Sequence, residues 1–115
     1  FLAGLERRVA SGGDIHNLSS VASFFVSRVD TETDRRLPDD SPLRGKAAVA
    51  NAKLAYMLFR DQLAGARWDN LVAAGAREQR PLWASTSTKN PAYSPTLYVH
   101  GLTGRSTAGV RPRPR

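Results

Sequence analysis

The 115 residues suffice for one ordinary domain, and 41% hydrophobic with 23% charged residues suits a folded globular chain rather than a disordered one. The absence of cysteine excludes disulfides and thiolate metal sites, and no apolar run approaches the ~18 residues of a membrane span. The formal charge of +7 suggests a polyanion partner, but residues 1–100 hold all 10 acidic residues and carry only +3, while Arg105, Arg111, Arg113 and Arg115 crowd the last fifteen positions without an acid.

Leu2, Leu5 and Val9 recur at helical spacing from the first residues onward, with Glu6, Arg7 and Arg8 on the other face. The pattern is already under way at Phe1, which reads as a cut edge, and no basic start with an apolar core marks a signal peptide. Ser11-Gly12-Gly13 stops this helix, and Asp14 caps a short turn carrying His16 and Leu18. Val21 to Val29 is the best strand: aromatic, β-branched and apolar on both faces for much of its length, as in parallel sheets covered by helices. Ser23, Phe25 and Ser27 share one of its faces. A polar stretch, Asp30 to Asp40, comes next. Ser41-Pro42 then reads as an N-cap and first helical residue, opening a long helix with the apolar stripe Val49, Ala52, Tyr56, Phe59 and Leu63.

Gly65 marks a break, and Trp68, Leu71 and Val72 predict a further helix ending at Gly75. Arg80 to Thr86 reads as a second strand, a polar loop holds Lys89-Asn90-Pro91, and Thr96 to Val99 reads as a third strand. Strands separated by helical crossovers predict an α/β fold with parallel pairing. From His100 the composition turns to Gly, Thr, Arg and Pro. Residues 100–115 therefore read as a basic tail, disordered or translated out of frame, behind a body of residues 1–99.

Ala22-Ser23-Phe24-Phe25-Val26-Ser27-Arg28-Val29-Asp30 resembles the sixth barrel strand and following turn of bacterial transaldolases, particularly the actinobacterial type. Leu43 to Tyr56 resembles the helix that follows in those enzymes. Pro81-Leu82-Trp83-Ala84-Ser85-Thr86, through Lys89-Asn90-Pro91-Ala92-Tyr93 to Thr96-Leu97-Tyr98-Val99, resembles the seventh strand, its loop and the start of the eighth. Beyond Val99 the resemblance stops.

The resemblance implies a partial (β/α)8 TIM barrel, its C-terminal portion only, since a whole one takes ~250 residues. It also implies a parent enzyme of the cytoplasmic pentose phosphate pathway that moves a dihydroxyacetone unit between sugar phosphates. Sedoheptulose 7-phosphate, fructose 6-phosphate, erythrose 4-phosphate and glyceraldehyde 3-phosphate are the implied substrates. That family uses a lysine Schiff base on the fourth strand, upstream of Phe1, so this piece is expected to be inactive. Ser23 and Arg28 match family positions that contact substrate phosphate, and Ser85 with Lys89 matches a second pair. Independently of the resemblance, strand-end positions such as Arg28 suit phosphate binding.

No catalytic residue, metal, cofactor, nucleic acid or membrane partner is expected. His16 and His100 stand apart without a second ligand, and no Gly-rich phosphate loop is present. A simple alternative for Arg28 is a salt bridge to Asp30 or Glu32; for Ser23 and Ser27, ordinary hydroxyls bonded to backbone; for Lys89, plain solvation. The rival functions are a small basic module binding nucleic acid or another polyanion, and another Schiff-base aldolase on the same barrel.

Overall fold

A computed structural model describes residues 1–103 and the backbone of Ala108–Gly109. Helix α1 (Leu2–Ala10) ends as its glycines require. Gly12 takes φ +76°, and the N–H groups of Gly12 and Gly13 donate to the carbonyls of Val9 and Arg8 at 2.9 and 2.8 Å. Strand β1 (Ser20–Phe25) leads into helices α2 (Ser27–Asp34), α3 (Ala47–Gln62) and α4 (Ala66–Ala73). Then come strand β2 (Gln79–Ala84), helix α5 (Leu97–Leu102) and the two-residue strand β3 (Ala108–Gly109).

The sheet runs β1-β2-β3 and every pairing is parallel. Ser20 stands opposite Gln79 and Phe25 opposite Ala84, while Leu82 and Trp83 face Ala108 and Gly109. Parallel neighbours need a long crossover, supplied here by α2, α3 and α4, so the expected α/β class holds.

Two apolar clusters hold the elements. Val26, Ala48, Ala52, Trp83, Tyr98 and Leu102 join the sheet to α3 and α5, with Phe24 meeting Trp83 edge to face at 5.7 Å between ring centres. Leu5, Ile15, Trp68 and Leu71 join α1 to α4, reinforced by two bonds from Arg67 to the Glu6 carboxylate at 2.6 and 2.8 Å. The opposite sheet face is open. Val21 and Phe25 are about half exposed, at 47% and 50%, which corrects the expectation that β1 is buried on both sides.

Three further expectations are corrected. The strand read as Val21 to Val29 ends at Phe25, and the polar stretch begins as α2. Its buried residues, Ser27, Asp30 and Asp34, are helically spaced but polar, so a hydrophobic criterion passes over them. Ser41-Pro42 forms a turn, with the Leu43 N–H on Ser41 Oγ at 3.3 Å, and α3 starts only after Gly45, at φ +72°. Of the run Thr96 to Val99, Thr96 is the N-cap and the rest opens α5, where Tyr98 and Leu102, four residues apart, face the core. Four apolar or β-branched residues in a row fit either period, and core geometry decides. The tail expectation falls mostly outside the described residues; within them, His100 to Leu102 are helical and Ala108–Gly109 pair with β2.

A Cβ at Gly45 would stand 2.8 Å from the Tyr93 ring, whereas one at Gly65, also at positive φ, would meet open space. Gly65 combines φ +95° with ψ 176°, a region essentially reserved for glycine, so Gly65→Ala is expected to cost about 1–3 kcal/mol from backbone strain alone. Gly45→Ala should cost about 2–4 kcal/mol through added overpacking, read as the difference in urea unfolding free energy.

Candidate phosphate site at the carboxyl edge of the sheet

The carboxyl ends of β1 and β2 lie side by side, and their ladder continues one step past each strand. The Val26 N–H donates to Ala84 O and the Ser27 N–H to Ser85 O, each at 3.0 Å. Ser85 holds φ +54°, the only positive value for a non-glycine residue among those described. Such backbone costs of order 1 kcal/mol and persists where surrounding bonds fix it. Here the fixing bond is between hydroxyls: Ser27 Oγ and Ser85 Oγ are 2.7 Å apart.

Arg28 follows immediately, in the first turn of α2. Its guanidinium lies over the Phe25 ring, 4.8 Å from the centroid. The salt bridge weighed for it does not form. Asp30 binds Ala48 N and Tyr98 Oη instead, at 2.8 and 2.7 Å, while Glu32 binds Arg35 and Arg36. Among the described residues Arg28 has no ion-pair partner, so its charge faces outward at the sheet edge.

Lys89 lies on the loop after β2, exposed, at the rim of a cavity of about 300 Å³. Asp30, Asp34, Arg44, Tyr93 and Tyr98 form much of its wall. Most of these groups are already satisfied. Asp34 accepts from Gly45 N at 3.0 Å and from Tyr93 Oη at 2.6 Å, and Arg44 donates to the carbonyls of Asp34 and Leu37. Ser23 is exposed at mid-strand opposite Leu82 and borders a different, largely apolar cavity of about 510 Å³. The chain thus joins Ser85 to the segment holding Arg28, through Ser27, and leaves Ser23 and Lys89 on separate cavities.

Sequence reasoning passed over the two carboxylate–tyrosine pairs and the Ser27–Ser85 bond. The spacing of Asp30 and Asp34, one helical turn apart, was a signal for the first. Nothing local signals the second, because its partners are 58 positions apart.

The tyrosines make the network sensitive to alkali. Burial, then the hydrogen bond to Asp30 and its charge, push the Tyr98 phenol well above its ordinary value; the bond to Asp34 raises Tyr93. A raised phenol pKa stabilises the fold fully below the unfolded value, ~10, and that contribution is lost as pH climbs from there toward the folded value. Tyr98→Phe is therefore expected to lower stability by about 1–3 kcal/mol at pH 7, because Asp30 Oδ2 loses its donor. The variant should also lose less stability than the native chain above pH ~10, measured by urea unfolding at each pH.

The family model described as Transaldolase/Fructose-6-phosphate aldolase matches residues 6–113, taking in all but the first five residues of the body and continuing beyond Val99. The chain is 54% identical over 117 aligned positions to "Transaldolase 1" of Streptomyces avermitilis, covering 97% of this chain and 31% of the relative. Transaldolases of Parafrankia sp. and Thermobifida fusca are 53% and 51% identical, over 97% and 98% of this chain and 32% of each relative. The chain spans about a third of the length of these curated relatives. The polyanion-binding alternative finds no support in these matches. With nearly its whole length matched, the chain belongs to the transaldolase/fructose-6-phosphate aldolase family.

Proposed function

We propose that this chain is the phosphate-binding portion of a transaldolase whose barrel it forms in part. In this reading the intact cytoplasmic enzyme moves a dihydroxyacetone unit between sugar phosphates of the pentose phosphate pathway. Fructose 6-phosphate and sedoheptulose 7-phosphate donate that unit; erythrose 4-phosphate and glyceraldehyde 3-phosphate accept it. Arg28 and Ser85 bind the substrate phosphate at the carboxyl edge of the sheet, and Ser23 and Lys89 complete the set once the rest of the barrel surrounds them. Arg28 carries the reading: a guanidinium at a strand end, stacked on Phe25 and without a carboxylate among the described residues, is ready for an external anion. Later βα loops are also where barrels of this kind commonly hold phosphate.

No lysine here suits imine formation. Lys46 and Lys53 are exposed at the start and on the outside of α3, and Lys89 lies exposed on its loop. Imine formation needs a lysine whose pKa is lowered by burial or positive neighbours. In this reading that lysine belongs to the two thirds of family length that this chain does not span. The family description covers aldol cleavage as well as transfer, but the relatives compared are named transaldolases, which favours transfer.

In the full-length enzyme, Arg28→Ala is expected to raise KM for fructose 6-phosphate about 10–100-fold, the size of one or two lost charge-assisted bonds. Borohydride trapping of the imine formed from unphosphorylated dihydroxyacetone should be unaffected. Equal losses with and without the phosphate would overturn the assignment.

A further inference from the structure

Ser27 matches none of the phosphate-contacting positions implied by the resemblance, yet the structure gives it a definite task. It is 1% exposed, at the first position of α2, and its backbone is held from both sides. Its N–H donates to Ser85 O at 3.0 Å, and its carbonyl accepts the Thr31 hydroxyl at 3.1 Å. Its own hydroxyl has one partner among the described residues, Ser85 Oγ, at 2.7 Å.

Heavy-atom geometry allows either hydroxyl to be the donor, but burial separates the two cases. If Ser85 donated, the Ser27 hydrogen would be left in the interior with no acceptor, a costly arrangement that native structures avoid. If Ser27 donates, both hydrogens are accommodated, because Ser85 is only half-buried and its hydrogen can point out to solvent or ligand. The second arrangement also polarises the Ser85 hydroxyl, which accepts one bond while giving another.

We propose that Ser27 is a positioning residue: by donating to Ser85 Oγ across the two strand ends, it commits the Ser85 hydroxyl to donate outward to a phosphate oxygen. This rests on the phosphate reading of the sheet edge. The positive φ of Ser85 fits the same task, since it turns the residue out of the strand at the point where the inter-strand bond holds it. Selectivity follows from the commitment. A site whose hydroxyl only donates suits an acceptor-only dianion and gains less from a ligand that must itself donate.

The test is equilibrium binding of inorganic phosphate to the full-length enzyme, followed by NMR, with circular dichroism and urea midpoints recorded for each variant. Ser27→Ala is expected to weaken phosphate binding about 3–10-fold, the scale of one modest hydrogen bond. Ser27→Thr, which keeps the hydroxyl, should restore it. In a Ser85→Ala background, adding Ser27→Ala should change binding no further, as expected if one residue acts through the other.

An undiminished Ser27→Ala effect without Ser85, or full affinity in Ser27→Ala, would overturn the positioning role while leaving the phosphate site in place. Phosphate binding that is absent from the native full-length enzyme, or indifferent to both Arg28→Ala and Ser85→Ala, would remove the phosphate reading and this role with it.

Discussion

Two buried carboxylates on successive turns of α2 hold the crossover between β1 and β2 together. Asp30 accepts the Ala48 N–H and the Tyr98 hydroxyl; Asp34 accepts the Gly45 N–H and the Tyr93 hydroxyl. The first turn of α3 has no side-chain cap of its own, so Asp30 satisfies one of its free N–H groups from a neighbouring helix. The negative charge also sits where the α3 dipole is positive. Each carboxylate uses one oxygen to set the start of α3 and the other to fix a tyrosine from the segment after β2. One short helix therefore ties the crossover to the chain that follows the second strand. Buried carboxylates would be unfavourable alone, and four good donors make them tolerable.

That tie shapes the sheet edge. Because α2 begins two residues after β1, its first turn carries Ser27 and Arg28 beside the carboxyl end of β2. With Asp30 turned inward to Ala48 and Tyr98, and Glu32 drawn away by Arg35 and Arg36, the Arg28 charge stays outward on Phe25. The polar interior and the outward cation are thus two results of one helix register. The Ser27–Ser85 bond crosses between strand ends at the same level, so backbone ladder and side-chain chemistry meet at one place.

The open side of the sheet has the opposite character. Val21 and Phe25 remain half exposed there, and elsewhere, on α3, Leu54, Met57 and Leu58 are 60–65% exposed. Such apolar area is more than scattered surface residues require, and it matches a chain spanning about a third of its relatives' length. The composition of β1 encodes burial on two faces, while the fold covers one.

Several features were determined by sequence alone. Glycine punctuation ended α1 and α4, as Gly12 and Gly75 at positive φ show, because few other residues accept that backbone. The aromatic and aliphatic residues of β1 and β2 (Val21, Phe24, Phe25, Leu82 and Trp83) and the helical spacing between them set parallel α/β topology, and the order of the blocks was specific enough to indicate the family. What the tertiary structure alone decided has one cause: contacts between residues far apart in sequence. Whether Thr96 to Val99 became strand or helix depended on Tyr98 reaching Asp30, 68 positions away. Whether the polar run after Phe25 became a helix depended on donors from α3 and the tyrosine loop burying its two aspartates. Whether Arg28 paired internally depended on where those same carboxylates were drawn. A local pattern records the preferences of a segment, and the partners that satisfy its polar groups exist only once the chain has folded.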